Sequence, residues 1–251
     1  MSGWARSRGC DIALFDTVGS THQVGTRIMA ASPRRGRDCW ILALHQRNGR
    51  GRYGRRWESP YGAGVYASHR LSVPRGSVPI LPQLVGVALC EGLKRLGFEC
   101  RLKWPNDLLL RGKKVGGILL QARGSAELAD AVASFGINHH HRVEDLPRPD
   151  ATSLDLEGAP ASLTLAALTS RLADQLEHEL DAFAALESGG AADQVLERYQ
   201  GWSSHELGDR LAVNLGERVL EGEFAGFAVS GELRLRHEGG EQLLSSGEVE
   251  L

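Results

Sequence analysis

The stretch Q-R-N-G-R-G-R-Y-G-R-R-W, residues 46–57, decides how the rest of the chain is read. Five arginines (Arg47, Arg50, Arg52, Arg55 and Arg56) fall within ten residues, with no acid among them, interleaved with Gly49, Gly51 and Gly54. Guanidinium groups this close repel one another, so a purely structural reason for the cluster is hard to find. Glycine lets the backbone approach and wrap a ligand, and guanidinium forks suit phosphate and carboxylate oxygens. The stretch reads as a mobile loop that closes over an anion. Its glycines also fit G-x-G-x-x-G, behind a strand-like run at 39–45. That dinucleotide fingerprint needs a helix directly afterwards and an acid about 20 residues on. Here W-E-S-P-Y-G follows, which is turn chemistry, so the Rossmann reading is set aside. An RNA-binding arginine-glycine segment and an ordinary solvated loop are the rivals. The position between two strand patterns speaks against the first.

Outward from the loop, the pattern alternates strands and helices. Residues 11–16 read as a strand, followed by a helix to Ala31 with Ser20 or Thr21 placed to cap it. Capping is the favoured role for these hydroxyls on local grounds, although a helix start can equally hold a polar ligand. Residues 64–73 alternate as a half-buried strand, with His69 on the apolar side as a satisfied core histidine. A helix is expected over 81–96, stopped by Gly97, then a strand over 98–104 ending in K-W-P-N-D. Pro105 ends that strand and leaves Lys103 at a rigid position. A hairpin over 108–121 and a strand over 129–138 follow, then a proline-containing loop over 143–160. Helices are expected over 163–183 and around 192–199. From about residue 205 short strands and glycine turns read as a small β-barrel. The fold class is therefore α+β.

Composition excludes several classes. The 251 residues carry a net charge of −2, so the positive charge is local and marks a site rather than a binding face. No apolar run is expected to approach the roughly 20 residues of a membrane span, and the first residues lack a signal-peptide core. The four cysteines (Cys10, Cys39, Cys90 and Cys100) show no metal spacing, which reads as a reduced, cytoplasmic protein. His139, His140 and His141 are adjacent, and three consecutive residues of regular structure cannot all face one metal, so no metal site is expected. P-loop, zinc-protease and nucleophile-elbow motifs are missing from the sequence.

Five short motifs remain in fixed order: S-T at Ser20–Thr21, Q-x-x-G-R-G-R-x-G at 46–54, K-W-P-N-D at 103–107, K-x-G-G-I-L at 114–119 and G-I-N at 136–138. With A-T-S-L at 151–154, the chain resembles the bacterial biotin–protein ligases from about Asp16 to its end. That resemblance implies a mixed-sheet, class II synthetase-like catalytic domain over 1–203 and a C-terminal SH3-like β-barrel over 204–251. It implies biotin and ATP (with Mg²⁺) as substrates, biotinyl-5′-AMP as intermediate and a lysine of a biotin carboxyl carrier protein as acceptor. No membrane or nucleic-acid partner is implied, a homodimer is left open, and the missing winged-helix module implies no repressor role. By the resemblance, Ser20, Thr21, His22 and Gln46 meet the biotin head group. Arg50, Gly51 and Arg52 cover biotin and the phosphate, and Arg52 holds the adenylate. Lys103 bridges the biotin carboxyl and the α-phosphate, while Arg50, Arg55, Lys114 and Asn138 serve ATP. Trp57 and Trp104 pack the walls. His22, Tyr53, Ser134 and Phe135 depart from the family's usual residues, and an acid is missing after Gly226. A lipoate or octanoate ligase of the same fold is the near alternative, and a nucleic-acid-binding protein the distant one.

Overall fold

The computed structural model describes residues 10–31, 38–124, 127–186 and 190–250. Seven strands form one sheet: β1 (Asp11–Val18), β2 (Cys39–Gln46), β3 (Gly64–Pro74), β4 (Cys100–Lys103), β5 (Asp107–Leu110), β6 (Lys113–Arg123) and β7 (Leu128–Asn138). Their order is β1-β2-β3-β7-β6-β5-β4, with β1 and β2 parallel and every other neighbour antiparallel. Helix α1 (Thr21–Ala31) makes the crossover that a parallel pair requires. It packs on β2, β3 and β7, where Gly25 comes close to Val132 and Ile41. On the other face lie α2 (Leu81–Lys94), α3 (Leu165–Ala185) and α4 (Ala191–Trp202), joined in one apolar core with Trp40, Leu42, Val65, Ala67 and Ala133. The alternation of those strand positions with Ile41 and Val132 is the period of two that lets one sheet serve two layers.

The two-sided cover corrects one expectation. Strand β3 is buried on both faces from Gly64 to Leu71, not half-buried, because α1 shields the face that carries Ser68 and Arg70. Arg70 and Asp130 form an ion pair there at 2.9 Å, with both side chains almost wholly buried. His69 is a core residue, as read, but is not satisfied by hydrogen bonds. It stacks on Trp40 at 4.5 Å, and Glu177 Oε1 stands 3.4 Å from its Nε2. Burial drives its pKa down to about 3, so the ring is neutral.

Another correction concerns residues 75–94. A short 3-10 helix, Arg75–Ile80, runs straight into α2 to give 20 residues long and apolar enough to cross a bilayer. Here that run is core. Gly86 lets α2 approach Leu102 and Ile118, and Gly92 meets Leu172 of α3.

Strands β8 (Arg210–Asn214), β9 (Val219–Phe227), β10 (Leu233–His237), β11 (Gly240–Leu244) and β12 (Glu248–Val249) form a second, antiparallel sheet ordered β11-β10-β9-β8-β12. Its core of Val213, Phe224, Leu233, Leu235 and Leu244 also takes in Trp104. The indole of Trp104 donates to the carbonyl of Gly231, and Gln83 of α2 donates to the same oxygen. Trp104 thus ties the second sheet to the end of β4.

The register of the first sheet collects the sequence motifs at one end. Val18 pairs with Gln46, Gly64 with Asn138, Ile137 with Gly116, Gly117 with Asp107 and Asp107 with Lys103. Strand ends and strand starts from distant parts of the chain therefore line one edge. Leu172→Ala tests the helical layer beneath it. Leu172 is fully buried against Gly92, and its truncation should cost about 2–5 kcal/mol. The urea midpoint should fall at unchanged slope, and a loss under about 1 kcal/mol would contradict the α2–α3 packing.

Candidate active site

The floor of the site is the β1–α1 junction. Gln46, at the end of β2, caps α1 from outside: its Oε1 accepts from the Thr21 backbone N–H at 2.8 Å and from the Thr21 hydroxyl at 3.1 Å. Gln46 Nε2 is anchored in turn on Ser59 Oγ at 2.9 Å. A backbone N–H cannot reverse, so it fixes the direction of the chain of bonds beyond. Thr21 donates to Gln46, Ser68 donates to Thr21 at 2.9 Å, and Ser134 must then donate to Ser68 at 2.8 Å. Ser134 has only its lone pair left for His22 Nδ1, 2.8 Å away, so that nitrogen carries the proton. His22 Nε2 lies 3.3 Å from Gln121 Oε1. Burial outweighs that contact and, helped by the Arg50 charge, lowers the His22 pKa. The expected capping role of Ser20 is wrong. Its hydroxyl is buried on the cavity wall with no hydrogen-bond partner.

The arginine loop is a folded flap. Arg50 and Arg56 pair as an isolated antiparallel bridge, and Gly51 N–H donates to Arg55 O at 2.8 Å. Arg52–Gly54 makes a 3-10 turn with Tyr53 at φ 55° and Gly54 at φ 74°, so no helix follows the glycines and no dinucleotide fingerprint exists. Gly49 serves the flap's own packing, because a Cβ there would stand 2.3 Å from Trp57 O. The arginines also have protein partners the sequence did not suggest. Arg52 donates to Asn106 Oδ1 at 3.3 Å, to Gly247 O at 3.5 Å and to Tyr53 Oη at 3.0 Å. Arg55 forms an ion pair with Glu248, and Arg56 with Glu58 at 3.0 Å. Arg50, with the Gln23 amide turned oxygen-first, is held at 2.6 and 3.0 Å. The flap is thereby fastened to β12 of the second sheet.

Lys103 stands at the end of β4, half-buried. Burial is the main cause that lowers its pKa, opposed by Asp107 and reinforced by Arg148. Asp107 itself pairs with Lys114 at 2.6 Å, and Lys114 also lies over the Trp57 ring at 5.7 Å. Trp57 packs a wall as expected. Its indole lies against Gly136, where a Cβ would approach within 2.5 Å. Asn138 donates to Thr152 O at 2.9 Å.

The site residues expected from the sequence share one cavity of about 630 Å³. Ser20, Thr21, His22, Gln46, Arg50, Gly51, Arg52, Arg55, Lys103, Lys114 and Asn138 all line it. The sequence reading missed Arg148 and Asp150, which line it from the 143–160 loop and bond to each other at 2.8 Å. It also missed Asn106, His141, Asn214 and Glu248. Asn106 sits within K-W-P-N-D and could have been found there. The loop and the last strand carry no local signal that assigns them to this site.

The chain matches the Biotin/lipoate A/B protein ligase family over residues 28–138. It is 32% identical over 244 residues to the biotin–[acetyl-CoA-carboxylase] ligase of Paracoccus denitrificans, covering 91% of this chain and 97% of that protein. The biotin–[acetyl-CoA-carboxylase] ligase of Mycobacterium tuberculosis is 33% identical over 220 residues, covering 83% and 77%. The chain belongs to the biotin/lipoate A/B protein ligase family. Its fold is similar to that of the biotin protein ligase from Aquifex aeolicus, solved in complex with biotin and ATP, with a TM-score of 0.73 at 24% identity over 96% of this chain and 97% of that one.

Within a ligase family, a buried unbonded hydroxyl on a cavity wall calls for a ligand partner. Ser20→Ala removes no protein hydrogen bond, so the unliganded protein should keep or slightly raise its stability. Thermal unfolding without ligand checks this. A loss above about 1 kcal/mol would mean that the hydroxyl already has a structural bond.

Proposed function

We propose that this chain is a biotin–protein ligase, which joins biotin to AMP at the expense of ATP and transfers biotin to a lysine of a biotin carboxyl carrier protein. The observation that carries the reading is the shared cavity: the Arg50–Arg52 flap and the Lys103 ammonium open onto one space. In the first step a carboxylate oxygen attacks the α-phosphorus and pyrophosphate leaves. Two anionic groups must approach, and the ammonium of Lys103 with the guanidinium of Arg52 offsets their repulsion in a site screened from water. In the second step a carrier-lysine amine attacks the acyl carbon, AMP leaves and the amine's proton is lost. The flap keeps water from the mixed anhydride in the meantime. Mg²⁺ accompanies the nucleotide. The carboxylates of Asp107 and Asp150 are already held by Lys114 and Arg148, which suits an ion that takes most of its ligands from phosphate and water.

The polar end of the cavity supports biotin over lipoate or octanoate. Ser20, Thr21, His22, Gln46 and Ser134 offer hydrogen bonds to a ureido ring, whereas a hydrocarbon or dithiolane head would leave Ser20 unbonded. Arg50, Arg52, Arg55 and Arg56 line the cavity, with Arg52 and Arg55 bonded to Gly247 and Glu248, which supports a site rather than a nucleic-acid surface. Among the described residues the four cysteines form no disulfide with one another, which supports the cytoplasm.

The test is a mixture of ATP, biotin, Mg²⁺ and a carrier domain, scored by mass for one biotin on one lysine. No transfer by folded protein overturns the proposal, and preference for lipoate in competition redirects it. Lys103→Ala should slow biotin-dependent pyrophosphate exchange by about 10²–10³-fold. Because burial lowers the Lys103 pKa, its charge is lost as pH rises through a value below that of an ordinary lysine. Exchange should therefore decline on the alkaline side earlier than an unperturbed lysine would dictate. A near-normal exchange rate in the variant would refute the role.

A further inference from the structure

Immediately beyond β7, His139 and His140 both donate their backbone N–H groups to the carbonyl of Ala63, at 3.0 and 2.8 Å. Two donors on one acceptor make a bulge, which suspends the alternation of side chains along a strand. That is why the sequence argument against a shared ligand fails for two of the three histidines. The His139 and His140 rings stack with centroids 3.7 Å apart. Opposite them stands Asp155, whose backbone N–H donates to His139 O at 3.1 Å. Its Oδ2 lies 2.7 Å from His140 Nδ1 and its Oδ1 lies 3.7 Å from His139 Nε2. One ligand atom from each of the three residues falls within 4.8 Å of the others.

His139 is wholly buried, and neither of its ring nitrogens has a hydrogen-bond partner. A buried imidazole with a bare nitrogen beside a carboxylate is costly as packing but suited to a cation. We propose that His139, His140 and Asp155 form a binding site for a borderline transition-metal ion of the Zn²⁺ class. Three protein ligands leave a fourth position toward solvent, since the His140 and Asp155 side chains are 45% and 44% exposed. Two imidazoles select against Mg²⁺, which prefers oxygen and keeps its waters. The site is therefore chemically distinct from any Mg²⁺ that arrives with a nucleotide. A bound ion would brace the active-site wall, because Leu154 N–H bonds Asn138 O at 3.0 Å and Asn138 bonds Thr152 O.

The experiment is calorimetric titration of the untagged, chelator-treated full chain with Zn²⁺ in excess Mg²⁺, repeated for His140→Ala, Asp155→Asn and, as a control, His237→Ala. One Zn²⁺ per chain is expected, with affinity reduced at least about tenfold in the first two variants and unchanged in the third. Circular dichroism in chelator should be the same for all four proteins, since His140 and Asp155 are exposed and His237 is only partly buried. Co²⁺ provides a readout that needs no variant: the wild-type complex should show the strong visible bands of a tetrahedral ion. An aquo-type cobalt spectrum, no stoichiometric Zn²⁺ binding, or equal affinity in His140→Ala and Asp155→Asn would each overturn the proposal.

Discussion

Two anions do not come within bonding distance unless positive charge already stands between them, and a cation cluster does not stay together without something to hold it apart from solvent and from itself. The cavity meets both requirements. Lys103 is fixed by the end of β4, while the arginines are held by a turn whose backbone closes on itself between Arg50 and Arg56. Their repulsion is offset by groups from far along the chain: Asn106, Glu248 and the carbonyl of Gly247. Lys114 is neutralised by Asp107 and Arg148 by Asp150. Lys103 is the cation pushed toward neutrality by burial, and charge held in such surroundings acts more strongly on a substrate than the same charge in water.

The second sheet is part of this arrangement rather than an appendage. Trp104 buries its ring in that sheet's core while its neighbour Lys103 faces the cavity, so the indole positions the strand end that carries the ammonium. From the other side, β12 supplies Glu248 to the flap. An exposed ion pair of this kind contributes little to stability. Its value is positional: it fastens the arginine turn to the second sheet at the edge of the cavity.

Much of this was legible in the sequence because it is written locally. The period of two over 64–73, the apolar stripe of α3 and the stop at Gly97 each follow from backbone geometry and burial. The motifs were legible because the chemistry demands charge and small residues close together. What could not be read was set by partners distant in the chain. Ser20 looked like a cap because a hydroxyl before a helix usually is one, but Gln46 takes that task from the next strand and leaves Ser20 to the cavity. Arg148 and Asp150 lie in a loop with no periodicity, and the Lys114–Ala151 bridge, with the bonds of Asn138 to Thr152 and Leu154, brings that loop to the site. His139 and His140 share a side because a bulge opposite Ala63 breaks the alternation on which the pattern argument relied.

The account stands on one cavity that receives an acid and a nucleotide together and joins them. Thermal unfolding measured with biotin alone, ATP alone and both tests this most directly. The account predicts a rise with both ligands that far exceeds the sum of the separate rises, because an adenylate formed and retained in place binds the folded state much more tightly than either substrate. Separate rises that merely add, or no response to biotin at all, would contradict it.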